Sequence, residues 1–218
     1  MTELGIFAKY WYPGQVKTRL AETIGEPATV RIYQAFLRCL AARWGDVADQ
    51  RRFIVSPSDS RDEFTRLLSD ARWELDTQAE GDLGQRMRTY FEQALHRSAR
   101  VVLLGSDSPD VPRKFLERAY WLLATHDVVI GPSDDGGYYL IGAARTIPDI
   151  FAGIPWSTER VFDETRQRLM DARVPFDVLP TWHDVDTAAD LARLKVQLEN
   201  QCEDVPLQEL LAVLREVP

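Results

Sequence analysis

Val101-Val102-Leu103-Leu104-Gly105 is apolar at every position and stops abruptly at Ser106-Asp107-Ser108-Pro109-Asp110. A strand built from such a run must be covered on both faces, which places it inside a mostly parallel sheet with helices above and below. The same grammar recurs along the chain. Residues 4–8, 52–56, 73–76, 128–131, 138–142 and 176–179 also read as strands. Helical spacing of apolar residues predicts helices over 29–44, 58–68, 81–97, 157–172, 187–198 and 206–215, with another running from Pro112 to residue 124. Strands alternating with helices, joined by short links, give an α/β fold class: a three-layer sandwich around a mixed, mostly parallel sheet, formed by residues 1–218 as one domain. In such sheets ligands bind beyond the carboxyl ends of the strands, where the strand order reverses. Each unusual polar cluster of this chain follows a predicted strand.

Composition narrows the ligand. A net charge of −8 over 218 residues argues against wholesale nucleic-acid binding, which needs basic patches to neutralise phosphates. It leaves room for a phosphorylated small molecule, since a few local cations or a metal reverse the sign within one cleft. Only Cys39 and Cys202 occur, far apart, and they read as buried thiols of a reducing compartment. There is neither a long apolar run for membrane insertion nor a basic, apolar leader, so a cytoplasmic location is expected.

Five clusters carry possible chemistry. Pro13-Gly14-Gln15-Val16-Lys17-Thr18-Arg19 lacks P-loop spacing. Its backbone amides with Lys17 and Arg19 suit a di- or triphosphate, against the plainer reading of a solvated basic helix start. In Gln78-Ala79-Glu80-Gly81-Asp82-Leu83-Gly84, Asp82 reads as a helix cap, while Gln78 and the glycines would let a flat base lie on the backbone. Asp107, at the end of the best strand, is placed to coordinate Mg²⁺, and Asp110 to cap the following helix. In Gly131-Pro132-Ser133-Asp134-Asp135-Gly136-Gly137 a hairpin turn explains the glycines. The adjacent carboxylates Asp134 and Asp135 exceed what a turn requires, because like charges repel unless a cation or polyol shares them. Finally, Thr187 and Asp190 read as a capping box. Asp184 and Asp186 lie two apart on an extended segment and face the same way, so either could supply a second metal carboxylate opposite Asp107. His96 and His126 read as structural or exposed, and His183 as a possible ligand contact.

The order of these clusters is itself informative. F-A-K-(x)₃-P-G-Q-V-K-T-R-L, Q-A-E-G-D-L-G-Q-R-M, G-S-D-S-P-D, G-P-S-D-D-G-G-Y-Y-L-I-G, I-P-W-S-T and D-V-D-T-A-A-D-L together resemble a bacterial family of proposed glycosyltransferases, the domain of unknown function numbered 2064. Some of its members are linked to arsenosugar biosynthesis. A more distant likeness is to 2-phospholactate and molybdenum-cofactor guanylyltransferases. The resemblance implies a GT-A-like, nucleotide-diphospho-sugar transferase fold and Mg²⁺ or Mn²⁺ held by Asp107 and Asp186. It implies phosphate contacts from Lys17 and Arg19 with Lys9 and the Gly14 loop, and base recognition at Gln78 and Gly81. Asp134, Asp135, Gly136 and Gly137 would then form a loop facing sugar or acceptor, the carboxylates orienting or deprotonating an acceptor hydroxyl.

The implied activity is transfer from a nucleotide sugar to a small-molecule acceptor. The runner-up is nucleotidyl transfer from a nucleoside triphosphate to an acceptor phosphate with release of pyrophosphate. A third reading, a nucleotide-binding domain without turnover, is disfavoured by the joint presence of Asp107, Asp186 and the cationic loop. Many relatives carry a second proline in the first loop where this chain has Trp11. That leaves the loop either less rigid or able to stack a ring on a ligand.

Overall fold

A computed structural model describes residues 1–68, 72–201 and 204–217. In chain order its elements are β1 (Thr2–Lys9), α1 (Thr18–Ile24), α2 (Glu26–Arg43), β2 (Gln50–Ser56), α3 (Arg61–Leu67), β3 (Glu74–Thr77), α4 (Leu83–Arg97) and β4 (Arg100–Gly105). Then follow α5 (Arg113–Leu122), β5 (Val128–Pro132), β6 (Tyr138–Ala144), α6 (Val161–Asp171), β7 (Phe176–Val178), α7 (Ala188–Gln201) and α8 (Val205–Arg215). The strands form one sheet in the order β3-β2-β1-β4-β6-β5-β7. All neighbours run parallel except β6, which is antiparallel to both β4 and β5. From β1 the chain builds outward through β2 to β3, then returns to lay β4 on the other side of β1. The reversal of strand order therefore falls between the carboxyl ends of β1 and β4, where a crevice opens.

The apolar run at residues 101–105 is covered on both faces, as its composition demands. Val102 and Leu104 join a core with Leu4, Ile6, Phe53 and the buried sides of α2 and α5. Val101 and Leu103 join the opposite core with Met87, Phe91 and Leu169 from α4 and α6. A third cluster ties α1 and α2 to α7 and α8 through Leu20, Phe36, Leu194 and Leu210. Each such fully buried aliphatic or aromatic side chain contributes roughly 1.5–3 kcal/mol relative to exposure, so two clusters on the faces of the sheet and a third between helices hold the layers together.

Several boundaries differ from the expectations for local reasons. The second helix begins at Glu26, before residue 29, because Pro27 stands in its first turn, where a missing N–H costs nothing. A short helix, Thr18–Ile24, begins within the first loop, in line with its plainer reading as a helix start, and its Leu20 is buried in the third cluster. Asp82 caps α4 in a full capping box, its carboxylate accepting from Gln85 N–H and the Gln85 side chain accepting from Asp82 N–H. Thr187 and Asp190 exchange the corresponding bonds ahead of α7.

Asp110 is a correction. It lies three residues before α5, whose N-cap is Pro112, too far upstream to reach the first amides. It is instead buried and accepts from Trp182 Nε1 at 3.4 Å and Gln197 Nε2 at 3.0 Å, with His183 Nε2 at 3.3 Å. The ring of His183 stacks on that of Trp182. Cys39 is buried on α2, and Cys202 lies outside the described residues. No helix among the described residues is long and apolar enough to cross a membrane.

Candidate functional site

Beyond the ends of β1 and β4 lies a cavity of about 530 Å³. Its geometry starts from one backbone hydrogen bond, Val185 N–H to Asp107 C=O at 2.9 Å. That bond sets the loop after β4 alongside the extended segment before α7. Val185 is buried in the third cluster, so its neighbours Asp184 and Asp186 both face the cavity beside Asp107. Into this gap reaches Lys17. Its Nζ lies 2.5 Å from Asp107 Oδ1 and 2.8 Å from Asp186 Oδ1. The lysine side chain is only 4% exposed, while those of the two carboxylates are 45% and 44% exposed. Burial pulls the ammonium toward losing its proton, but Asp107 and Asp186 more than offset this and hold it well above the usual lysine range.

Behind this triple several polar groups of the wall pair with one another. Ser106 Oγ meets Tyr33 Oη at 2.9 Å, and Lys9 N–H donates to the same phenol at 3.2 Å. Burial, with Asp107 nearby, pushes the Tyr33 phenol up to about 12. Ser108 Oγ donates to Asp184 Oδ1 at 2.5 Å. Burial and the neighbouring Asp107 raise Asp184 to about 7, so it holds a proton through most of the acidic range.

That proton has a measurable consequence. Between the usual carboxylate range and about 7 the folded chain carries a proton on Asp184 that the unfolded chain has lost. The stability linked to it is present in full below that window and disappears as pH rises through it. Asp184→Asn should abolish this slope, so that in EDTA the variant gains on the wild type in melting temperature between about pH 5 and about pH 8. A difference constant across that range would show that Asp184 ionises normally.

The wall formed by Gln78 and Gly81 is organised differently from expectation. Gln78 Nε2 donates to Ala8 C=O at 3.1 Å and Ile54 C=O at 3.0 Å, fastening the segment to β1 and β2. Both donors of its amide are thus committed to backbone, and its Oε1 faces Arg86 Nη1 at 3.3 Å. Arg86 also donates to Gly81 C=O at 2.9 Å and lines the cavity. Gly81 has φ +107, and a Cβ there would stand 2.0 Å from Gln85 Oε1. Its glycine is explained by the capping box.

Among the sequence candidates, Lys9, Lys17, Gln78, Gly81, Asp107 and Asp186 line the cavity. Gly14, Arg19, Asp134, Asp135, Gly136 and Gly137 are not among its lining residues. Gly14 turns the first loop with φ +73, and Arg19 is exposed on the first turn of α1. Trp11 is buried edge-on against Phe64 at 5.0 Å and stacked on Tyr10 at 4.6 Å, so its ring fixes the loop to the core.

In the hairpin, Asp135 Oδ1 accepts from Ser133 Oγ at 2.5 Å and Gly137 N–H at 2.9 Å, closing the turn on itself. The charge of Asp135 also adds to the field raising Asp184. Asp134 is half-exposed, 3.5 Å from Arg193 Nη1 on α7. Gly136, at φ +88, lies under the Glu159 backbone, and Phe162 N–H bonds its carbonyl at 2.8 Å.

Sequence reading missed Tyr33, Arg86 and Ser157, which also line the site. Tyr33 sits on the apolar stripe of α2 and reads as core. Arg86 and Ser157 lie inside the quoted Q-R-M and P-W-S-T segments but carry no local signature. Among the described residues, no group of three or more His, Cys, Asp and Glu side chains is arranged to hold a metal.

The model of the family described as "Uncharacterized protein conserved in bacteria (DUF2064)" matches residues 40–158, just over half of the chain. A solved structure of a proposed nucleotide-diphospho-sugar transferase from Desulfovibrio desulfuricans is 33% identical. It superposes with a TM-score of 0.88 over 99% of this chain and 97% of its own. Rv0371C of Mycobacterium tuberculosis, solved in complex with manganese, is 16% identical with a TM-score of 0.52 over 92% and 98% of the two chains. A cytidylyltransferase from Leptospira borgpetersenii is 12% identical with a TM-score of 0.56 over 99% and 94%. At such identities the last two share the fold alone, a GT-A-like three-layer sandwich. No curated protein matches the chain.

Proposed function

The chain belongs to the DUF2064 family of bacterial proteins, and on that premise we propose that it is a divalent-metal-dependent transferase using a nucleotide-activated donor. The reading the site supports best is a glycosyltransferase, residues 1–218 acting as one unit to move a sugar from a nucleoside diphosphate to a small-molecule acceptor. One observation carries it: two carboxylates from distant segments, Asp107 and Asp186, converge on a single cation position at the switch point of the sheet. The ammonium of Lys17 stands in for that cation. Mg²⁺ is characteristically bound by one or two carboxylates plus substrate phosphates, with no all-protein cage, and this donor set fits that habit. Bound there, Mg²⁺ or Mn²⁺ would neutralise the negative charge that gathers on the departing diphosphate.

The chain's own residues divide the remaining work. Asp107 and Asp186 hold the cation. Lys17 and Lys9 present ammonium groups to the phosphates from the β1 side of the cavity. Gln78 supports the base edge, where Arg86 and the Gly81 backbone meet the ligand. The hairpin of Asp134, Asp135, Gly136 and Gly137 borders the acceptor side. On this reading one of its two carboxylates orients the acceptor hydroxyl.

A thermal-shift panel of nucleotide sugars and nucleoside triphosphates, with and without Mg²⁺ or Mn²⁺, tests the proposal, because ligands that bind only the folded state raise its melting temperature. A metal-dependent rise with one nucleotide sugar is expected and names the donor. A rise confined to triphosphates would replace glycosyl by nucleotidyl transfer. No rise with any nucleotide would remove the transferase reading.

A further inference from the structure

Lys17 occupies the position that the proposed function gives to a metal. Its ammonium touches one oxygen of Asp107 and one of Asp186, the same oxygens that converge on the cation position. A divalent ion and an ammonium cannot share that point, since two like charges in contact inside a partly buried site repel strongly. The residue is also held in an unusual backbone state, φ 48 and ψ 46, in the left-handed region that non-glycine residues rarely enter. Its carbonyl accepts from Ala21 N–H, and Val16 and Leu20 nearby are buried, so the backbone is pinned and any displacement of the ammonium must come from the torsions of the side chain itself. The same side chain lines the cavity where the donor's phosphates would lie.

We propose that Lys17 is a displaceable internal cation: it fills the Asp107–Asp186 site in the resting protein and excludes divalent metal until nucleotide phosphates arrive to take the ammonium over. The inference rests on the metal site of the proposed function and adds a coupling to it. Without a nucleotide, a metal ion must displace an ammonium already held by both Asp107 and Asp186. With a nucleotide, the phosphates supply both a new partner for Lys17 and the missing oxygens for the metal. Metal and nucleotide then bind with positive coupling, each raising the affinity of the other by the same factor. Asp107 and Asp186 are spared from standing as an open pair of carboxylates that would collect any hard cation.

The test is Mn²⁺ alone, titrated into the full chain without nucleotide and followed by the electron paramagnetic resonance of the free ion. Lys17→Met should bind Mn²⁺ at least tenfold more tightly than the wild type, and Lys17→Arg, which keeps the charge, should stay as weak as the wild type. Lys17→Gln serves as a second neutral variant should Lys17→Met fail to fold. Wild-type binding of Mn²⁺ as tight as that of the neutral variant would overturn the proposal, and so would a neutral variant no tighter than the wild type. Thermal shift of the wild type with Mn²⁺ and pooled nucleotides separates the two layers. Stabilisation there with no gain in the neutral variant leaves the transferase reading standing and removes the displaceable cation. A tenfold gain without any nucleotide effect does the reverse.

Discussion

Asp107→Ala is expected to abolish metal-dependent nucleotide binding while leaving the chain folded. Asp107 contributes one of the two carboxylates that converge on the cation position, and the family resemblance assigns it to the metal. Losing half of a two-carboxylate site should weaken the ternary complex by about 3 kcal/mol or more, a factor of a hundred or above. The structural cost is much smaller. The side chain is nearly half exposed, and Lys17 keeps its contact with Asp186 at 2.8 Å, so the loss of stability should be about 1 kcal/mol, or roughly 2–4 °C in melting temperature. Calorimetric titration of a nucleotide in Mg²⁺, beside a thermal melt, reads both quantities. An unchanged affinity would take Asp107 out of the metal site. A collapse in melting temperature would make it a structural residue.

Gly136→Ala carries the largest expected effect on stability. Two independent costs meet at this position. A φ of +88 lies where an L side chain is strained, and the new Cβ would stand 2.1 Å from the carbonyl oxygen of Glu159 and 2.5 Å from its Cα. The obstruction is backbone, so no rotamer change relieves it. Backbone strain of about 1–2 kcal/mol plus overpacking of about 1–3 kcal/mol sums to roughly 3 kcal/mol, or some 6–12 °C. Gly137→Ala is the matched control. Its Cβ would come no closer than 3.2 Å to the side chains of Asp135 and Ser133, and its φ is unstrained. Equal melting temperatures for the two variants would mean that the segment over Gly136 is loosely held. Because that segment leads directly to Ser157 on the cavity wall, loss of nucleotide binding should accompany the loss of stability in Gly136→Ala.

The layer architecture was legible because it is written in local periodicities. An all-apolar strand such as 101–105 needs two covers, and the helical stripes of α2 and α4 supply them. Caps were legible where the cap and its partner are three residues apart, as at Asp82 and at Thr187. Asp110 shows the limit of that logic. Its partners, Trp182, His183 and Gln197, lie more than 70 residues away, and nothing near Asp110 announces them. Gln78 was read as a base contact because a polar side chain beside glycines suggests a ligand, yet its amide is spent on Ala8 and Ile54, strands that pair only after folding. Asp107 could be nominated by its position after a strand, whereas Asp186 was one of two candidates on an extended segment and was singled out only by the family resemblance. That Lys17 would stand between them could not be read, since 169 residues separate Lys17 from Asp186.

That separation also orders events in time. Lys17 comes from the first tenth of the chain, Asp107 from its middle, and Asp186 from just before the last two helices. A ribosome delivers domains from the amino end at about 5–20 residues per second. The first five strands in sheet order from β3 to β6 are therefore available for pairing well before Asp186 emerges. Until then the nascent chain can bury much of its core yet has no closed cation position at the crevice. On the proposed function, nucleotide and metal would then meet a nearly finished molecule and could not serve as templates for its early folding. A chain interrupted between β7 and Asp186 would contain every strand of the sheet while lacking the second carboxylate of the proposed site.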